Sequence, residues 1–225
     1  MKGKLIILEA GDGSGKATQT AKLCQRLENE QHAVKKVEYP NYQSQSAALI
    51  KMYLQGKFGS TPDAVNPYAA SAFYAVDRFA SYKTDWETFY QQGGIVICDR
   101  YTTSNMVHQA VKIDTQEARS NFLDWLWDFE FKKMGLPVPD GVIFLDMPPA
   151  YSRSLLEKRH SKAGFSTQDI HERDQEYLET CYRCYRQIAQ RYHWHIVNCV
   201  KNGILQSVDN IHQDVYRAAT LILGS

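Results

Sequence analysis

Residues 8–20 read LEAGDGSGKATQT, with glycine at alternate positions and then a lysine. Gly11, Gly13 and Gly15 let backbone N–H groups turn inward toward an anion, and a helix starting behind them adds the positive end of its dipole. Lys16 supplies a point charge for the β- and γ-phosphates of a nucleotide, and Thr18 can serve the α-phosphate. Both ends depart from the usual phosphate-loop pattern G-x-x-x-x-G-K-[ST]. Ala10 stands at the first glycine, and Ala17 stands where a hydroxyl normally meets magnesium. The phosphate-binding set is read as Gly11, Gly13, Ser14, Gly15, Lys16, Ala17 and Thr18.

Two further groupings could work beside this loop. Asp99-Arg100-Tyr101 follows the apolar run Ile95–Cys98, and ligands of open α/β sheets sit at the carboxyl ends of strands. A carboxylate there can hold magnesium or its waters, and an arginine can clamp a phosphate at two points. In AFYAVDRFASY, residues 72–82, helical spacing puts Tyr74 and Arg78 on one face with Asp77 alongside. Phe73, Val76 and Ala80 are then expected to enter the core. An aromatic and an arginine on one face can stack a base and bind its edge or its phosphate.

The elements that must position these groups are legible as apolar runs. Leu5–Leu8 directly precedes the glycine turn and reads as a buried parallel strand, and Leu23, Cys24 and Leu27 fall at helical spacing behind it. Further strands are expected at Ala33–Tyr39, Ile95–Cys98, Val142–Leu145 and His195–Val197, with helices between them. The fold class is therefore α/β: a parallel sheet flanked by helices. Asn66-Pro67 should cap a long helix running toward Tyr90. Asp114-x-x-Glu117 resembles a capping box ahead of Phe122–Phe131, a helix stopped by Gly135 and Pro137. Val208, Ile211, Val215, Ala218 and Ile222 form one apolar face of a last helix. Phe122–Trp127 is apolar on more than one face, which suits a dimer helix or a core helix covered on both sides. His160–Glu172 is polar, carries Gly164 and lacks an apolar period, so it is expected to be a mobile loop.

Composition sets the outer limits. A chain of 225 residues suits a single domain over 1–225 with a real core. A net charge of +1 gives no broad attraction to nucleic acid or a membrane surface. The N-terminal apolar run is too short for a signal peptide, and no stretch reaches the ~18 apolar residues of a membrane span. Five scattered cysteines suit reduced thiols in the cytoplasm, and the lone Cys181-x-x-Cys184 reads as half-buried helix residues rather than a metal or redox site.

Taken in order, Glu9-x-x-Asp12-Gly13-Ser14-Gly15-Lys16, the Tyr39-Pro40 step, Tyr74-x-x-x-Arg78 and Asp99-Arg100-Tyr101-x-x-Ser104 resemble the thymidylate kinase family, over nearly the whole chain. The resemblance implies a P-loop NTPase-type sheet with a short lid at about 160–172. It also implies transfer of the γ-phosphoryl of ATP to dTMP with magnesium, and a cytoplasmic homodimer with no nucleic-acid or membrane partner. Lys16, Asp99, Arg100 and Arg159 would be catalytic, with Asp99 organising the metal. Asp12, Tyr39, Tyr74, Arg78, Arg100, Ser104, His108 and Gln109 would hold the acceptor, Tyr74 stacking on its base. Residue 13 is glycine where some members carry a catalytic arginine, so that charge is expected from Arg159, with Lys158 and Lys162 as alternatives. Glu38 and Tyr42 occupy positions where members often have arginine, and His108 stands where an aromatic often guards the sugar. Two other readings follow from these departures: a kinase for another deoxynucleotide or a deoxynucleoside, and a nucleotide-binding relative without turnover.

Overall fold

The structure is a computed structural model and describes residues 2–155 and 175–224. Five strands, β1 (Lys4–Glu9), β2 (Val34–Glu38), β3 (Ile95–Asp99), β4 (Gly141–Asp146) and β5 (His195–Asn198), form one sheet in the order β2-β3-β1-β4-β5. Every pairing is parallel. The central strands are apolar on both faces because helices cover both sides, as parallel sheets require. Strand alternation divides the core in two. Ile6 and Leu8 pack with Leu23 and Leu27 of α1 (Lys16–Asn29) and with Ile211 and Val215 of α9 (Val208–Leu223). Leu5 and Ile7 point the other way, toward Trp86, Phe122 and Tyr185.

That second layer contains α4 (Glu87–Gln91), α5 (Thr102–His108), α6 (Gln116–Trp127) and α8 (Gln175–Arg191), with α3 (Pro67–Ser81) packed against α5. The short α2 (Ala48–Leu54) packs on α3, and α7 occupies residues 149–155, where the first described stretch ends. Register aligns Leu8 with Asp99 and with Ile143. The carboxyl ends of β1, β3 and β4 therefore open on one edge, beside the turn into α1.

Each expected strand is present, and Asn66 caps α3 by accepting from the Ala69 amide at 2.9 Å. Several local expectations are corrected. The cap of α6 is Thr115, whose hydroxyl accepts from Ala118 N at 3.2 Å, rather than Asp114. The helix toward Tyr90 is interrupted by a π turn at Tyr82–Trp86, and a second π turn, Asp128–Lys133, extends α6 before Gly135 ends it at φ 70°. On α3 the expected faces hold only in part: Phe73 packs against the cluster of Ala47, Ile50 and Tyr53, but Asp77 and Arg78 are buried and Val76 is 51 % exposed, with Phe79 39 % exposed beside it. Val208 is also exposed, so the apolar face of α9 starts at Ile211. A hairpin, β6 (Val200–Lys201) with β7 (Ile204–Leu205), turns at Asn202-Gly203, both at positive φ. All five cysteines are free; Cys181 is buried and Cys184 half-buried, on α8.

Candidate active site

The turn between β1 and α1 is built for an anion. Gly13 and Gly15 adopt φ of 75° and 77°, a region that residues with a Cβ rarely enter. Ser14 closes the turn by donating to Gly11 O. α1 begins after Gly15 with no side-chain cap and no acidic residue in its first turn. Its first amides are thus left for an external acceptor at the positive end of the helix. Lys16 reaches across the strand edge to the Asp99 carboxylate. Burial lowers its pKa, the neighbouring Arg100 adds to the effect, and Asp99 opposes both.

Arg100 follows directly at the end of β3, with φ 68°. A left-handed backbone in a residue with a side chain stores about 1–3 kcal/mol, and such strain concentrates at functional sites. Its guanidinium pairs with Asp12 of the glycine turn and comes within 3.3 Å of Tyr185 Oη and 3.4 Å of His108 Nε2. Burial works against this charge, but Asp12, then Tyr185 and Glu9, raise its pKa well above the ordinary arginine value. Glu9, fully buried at the end of β1, accepts from Thr103 at 2.6 Å, Ser104 at 2.9 Å and Tyr185 at 3.1 Å. That carboxylate fastens α5 and α8 to the central strand and so sets where Arg100, Ser104 and His108 stand.

The third cation is Arg78, 1 % exposed. It is gripped side-on by Glu130, Nε to Oε2 at 2.7 Å and Nη2 to Oε1 at 2.5 Å. Burial disfavours the charged guanidinium, yet Glu130 outweighs it and the pKa is raised. Asp77, its neighbour on α3, accepts from Asn41 N at 2.9 Å and from Ser46 Oγ at 2.6 Å. It thereby fixes the loop after β2 rather than facing a ligand.

Two adjoining clefts result. One is lined by the whole glycine turn from Gly11 to Thr18 together with Asp99, and continues along an apolar wall of Met147, Leu155, Leu205 and Val208. The other brings together Asp12, Tyr39, Tyr74, Arg78, Arg100, Ser104, His108 and Gln109. Asp12, Tyr39, Tyr42 and Arg100 border both. Gln109 is fully buried, and neither atom of its carboxamide has a partner among the described residues. Arg159, Lys158, Lys162 and the segment 160–172 lie outside the described residues. Sequence reasoning gave no role to Glu130, Tyr177 or Tyr185. The two tyrosines flank the His108 ring at 3.2 Å each, and only their place on the inner face of α8 could have marked them. Among the described residues, no three His, Cys, Asp or Glu side chains are grouped to hold a metal.

A β-strand, a glycine turn opening a helix, and a lysine and carboxylate beside it define a P-loop phosphate-binding α/β protein. Comparison with known proteins narrows the class. The profile described as thymidylate kinase matches residues 8–214, and the chain belongs to the thymidylate kinase family. It is 28 % identical to the thymidylate kinase of Mycobacterium tuberculosis, over 82 % of this chain and 85 % of that protein. It is 26 % identical to the human thymidylate kinase, over 95 % and 88 %. The solved thymidylate kinase of Candida albicans superposes with a TM-score of 0.70 at 22 % identity, covering 98 % of this chain and 92 % of the other, which supports the fold.

Proposed function

We propose that the protein transfers the γ-phosphoryl group of ATP to dTMP, giving ADP and dTDP. One observation carries the reading: two clefts, one around the phosphate turn and one around Tyr74 and Arg78, meet at Asp12 and Arg100. The nucleophile is an oxygen of the dTMP phosphate, which is largely deprotonated at neutral pH because its second pKa is about 6. No general base is required. That oxygen bonds to the γ-phosphorus as the bond to the β-phosphate oxygen breaks, and catalysis reduces to alignment and charge neutralisation.

The turn amides and Lys16 hold the ATP phosphates, and Thr18 serves the α-phosphate. Arg100 takes the acceptor phosphate, exchanging the Asp12 carboxylate for phosphate oxygens. Tyr74 stacks on the base, Tyr39 backs the cleft, Gln109 meets the acceptor with its free amide, and Ser104 and His108 border the sugar. Asp99 would hold magnesium, directly or through water, and the ion would supply positive charge to offset that of the donor phosphates. Asp99 beside a phosphate site suits an ion that keeps most of its waters, so Ala17 would cost one ligand that water can replace. The protein acts as one domain on small molecules in the cytoplasm, a place its unpaired cysteines suit. No described helix is long and apolar enough to cross a membrane.

An acceptor panel tests this. With ATP and magnesium, dTMP should be phosphorylated faster than dCMP, dGMP or UMP, and omitting magnesium should stop the reaction. Phosphorylation of thymidine but not dTMP would replace the reading with a nucleoside kinase, and ATP binding without turnover of any acceptor would make it a binder.

The active species is a homodimer. Val76, Phe79 and Tyr68 lie along one side of α3 and are exposed, as are Leu49 and Met52 of the neighbouring α2. Exposed apolar side chains gathered on two neighbouring helices are what an interaction surface offers. Sedimentation velocity should give a dimer for wild type and a monomer for Val76→Glu/Phe79→Glu. A monomeric wild type would contradict this assignment.

A further inference from the structure

Glu130 is fully buried against the wall of the acceptor cleft, and its carboxylate is saturated by polar groups. Arg78 donates to both oxygens, and Thr102 Oγ1 donates to Oε2 at 2.7 Å. Its backbone is fixed as well, since Leu136 N donates to Glu130 O at 3.0 Å. The residue sits in the π turn Asp128–Lys133. Such turns insert one extra residue into a helix and recur at functional sites.

A guanidinium has five N–H donors. Two of Arg78's meet Glu130, and one on Nη1 lies 3.5 Å from Tyr101 O. One N–H on each terminal nitrogen remains, on a side chain that borders the cleft beside Tyr74. We infer that Glu130 is a positioning residue for acceptor choice. It cancels the charge of Arg78 and locks its fork, so the spare N–H groups read an uncharged base edge while the acceptor phosphate goes to Arg100.

Donors held this way favour a base with a carbonyl at that edge. A base with an amino group there sets donor against donor, which is a repulsive form of selection. An unlocked and unneutralised Arg78 would instead be a mobile cation that attracts phosphate without regard to the base. The inference rests on the thymidylate reading of the cleft.

The test is steady-state kinetics of wild type, Glu130→Gln and Thr102→Val with dTMP and dCMP. Glu130→Gln keeps the shape and removes the charge. We expect its KM for dTMP to rise about tenfold and its dTMP-over-dCMP ratio of kcat/KM to fall about tenfold, with KM for ATP within about twofold. Thr102→Val removes one of the three hydrogen bonds to the carboxylate and should move both quantities the same way, by about threefold. A purely structural Glu130 would lower the amount of folded enzyme and scale kcat for both acceptors. Unchanged KM and preference in folded Glu130→Gln would therefore overturn the inference. Should circular dichroism show Glu130→Gln unfolded, the same two ratios in Thr102→Val decide. A wild type inactive on dTMP would reject the thymidylate reading instead, and Glu130 would then be judged by the KM of the acceptor that is used.

Discussion

Lys16→Met is expected to lower turnover at saturating substrates by about 10³-fold, the upper end for removing one preorganised donor from a transition state. The ammonium is held by Asp99 at the carboxyl end of β3, opposite the turn amides, and its side chain is 12 % exposed. Charge built up on the transferring oxygens would meet a cation that Asp99 already holds in place, so little reorganisation would be needed. Methionine keeps most of the volume and leaves the Asp99 carboxylate without its ammonium. Arg100 lies close enough to offset part of that charge, so the variant should fold. Lys16→Arg is not expected to rescue it, since a planar fork is bulkier than an ammonium in a glycine-lined turn. Single-turnover release of ADP from purified Lys16→Met checks the result. A loss smaller than tenfold would mean that the donor phosphates do not sit on this turn.

The strands and the glycine turn were legible because burial on both faces forces continuous apolar runs, and because a strand followed by G-x-G-x-G-K leaves few alternatives. The polar wall of the acceptor cleft was less legible. Reading α3 as a surface helix sent Val76 inward and left Asp77 and Arg78 on a polar outer face. Each polar residue has a distant partner that pays for its burial: Asn41 and Ser46 for Asp77, Glu130 for Arg78. A pairing 52 residues apart leaves no local period to detect, and a π turn shifts the helical phase just where Glu130 lies. Thr115 took the cap from Asp114 within the ordinary one-residue ambiguity of helix starts. The β6–β7 hairpin did carry a signal, since Asn-Gly between short apolar pairs favours a turn with both residues at positive φ.

The catalytic cation can be approached by counting charge. Lys16, Arg78 and Arg100 line the two clefts among the described residues, and each is matched by a carboxylate: Asp99, Glu130 and Asp12. Glu9 and Glu38 stand at neighbouring strand ends. The described site therefore holds no surplus of positive charge, while bound ATP and dTMP bring about six negative charges, with second phosphate ionisations near pH 6. Magnesium accounts for two. Phosphoryl transfer loads further charge on the oxygens between donor and acceptor, and the glycine at position 13 has no side chain to meet it. The sequence next offers Arg159, with Lys158 and Lys162 beside it. Arg159→Ala should reduce kcat by at least ~10²-fold and change ATP affinity by less than about threefold, because the charge is needed chiefly in the transition state. Turnover measured beside equilibrium ATP binding separates the two effects. A parallel loss of both would make Arg159 a binding residue for ATP. Unchanged turnover would move the role to Lys162, for which the same pair of measurements applies.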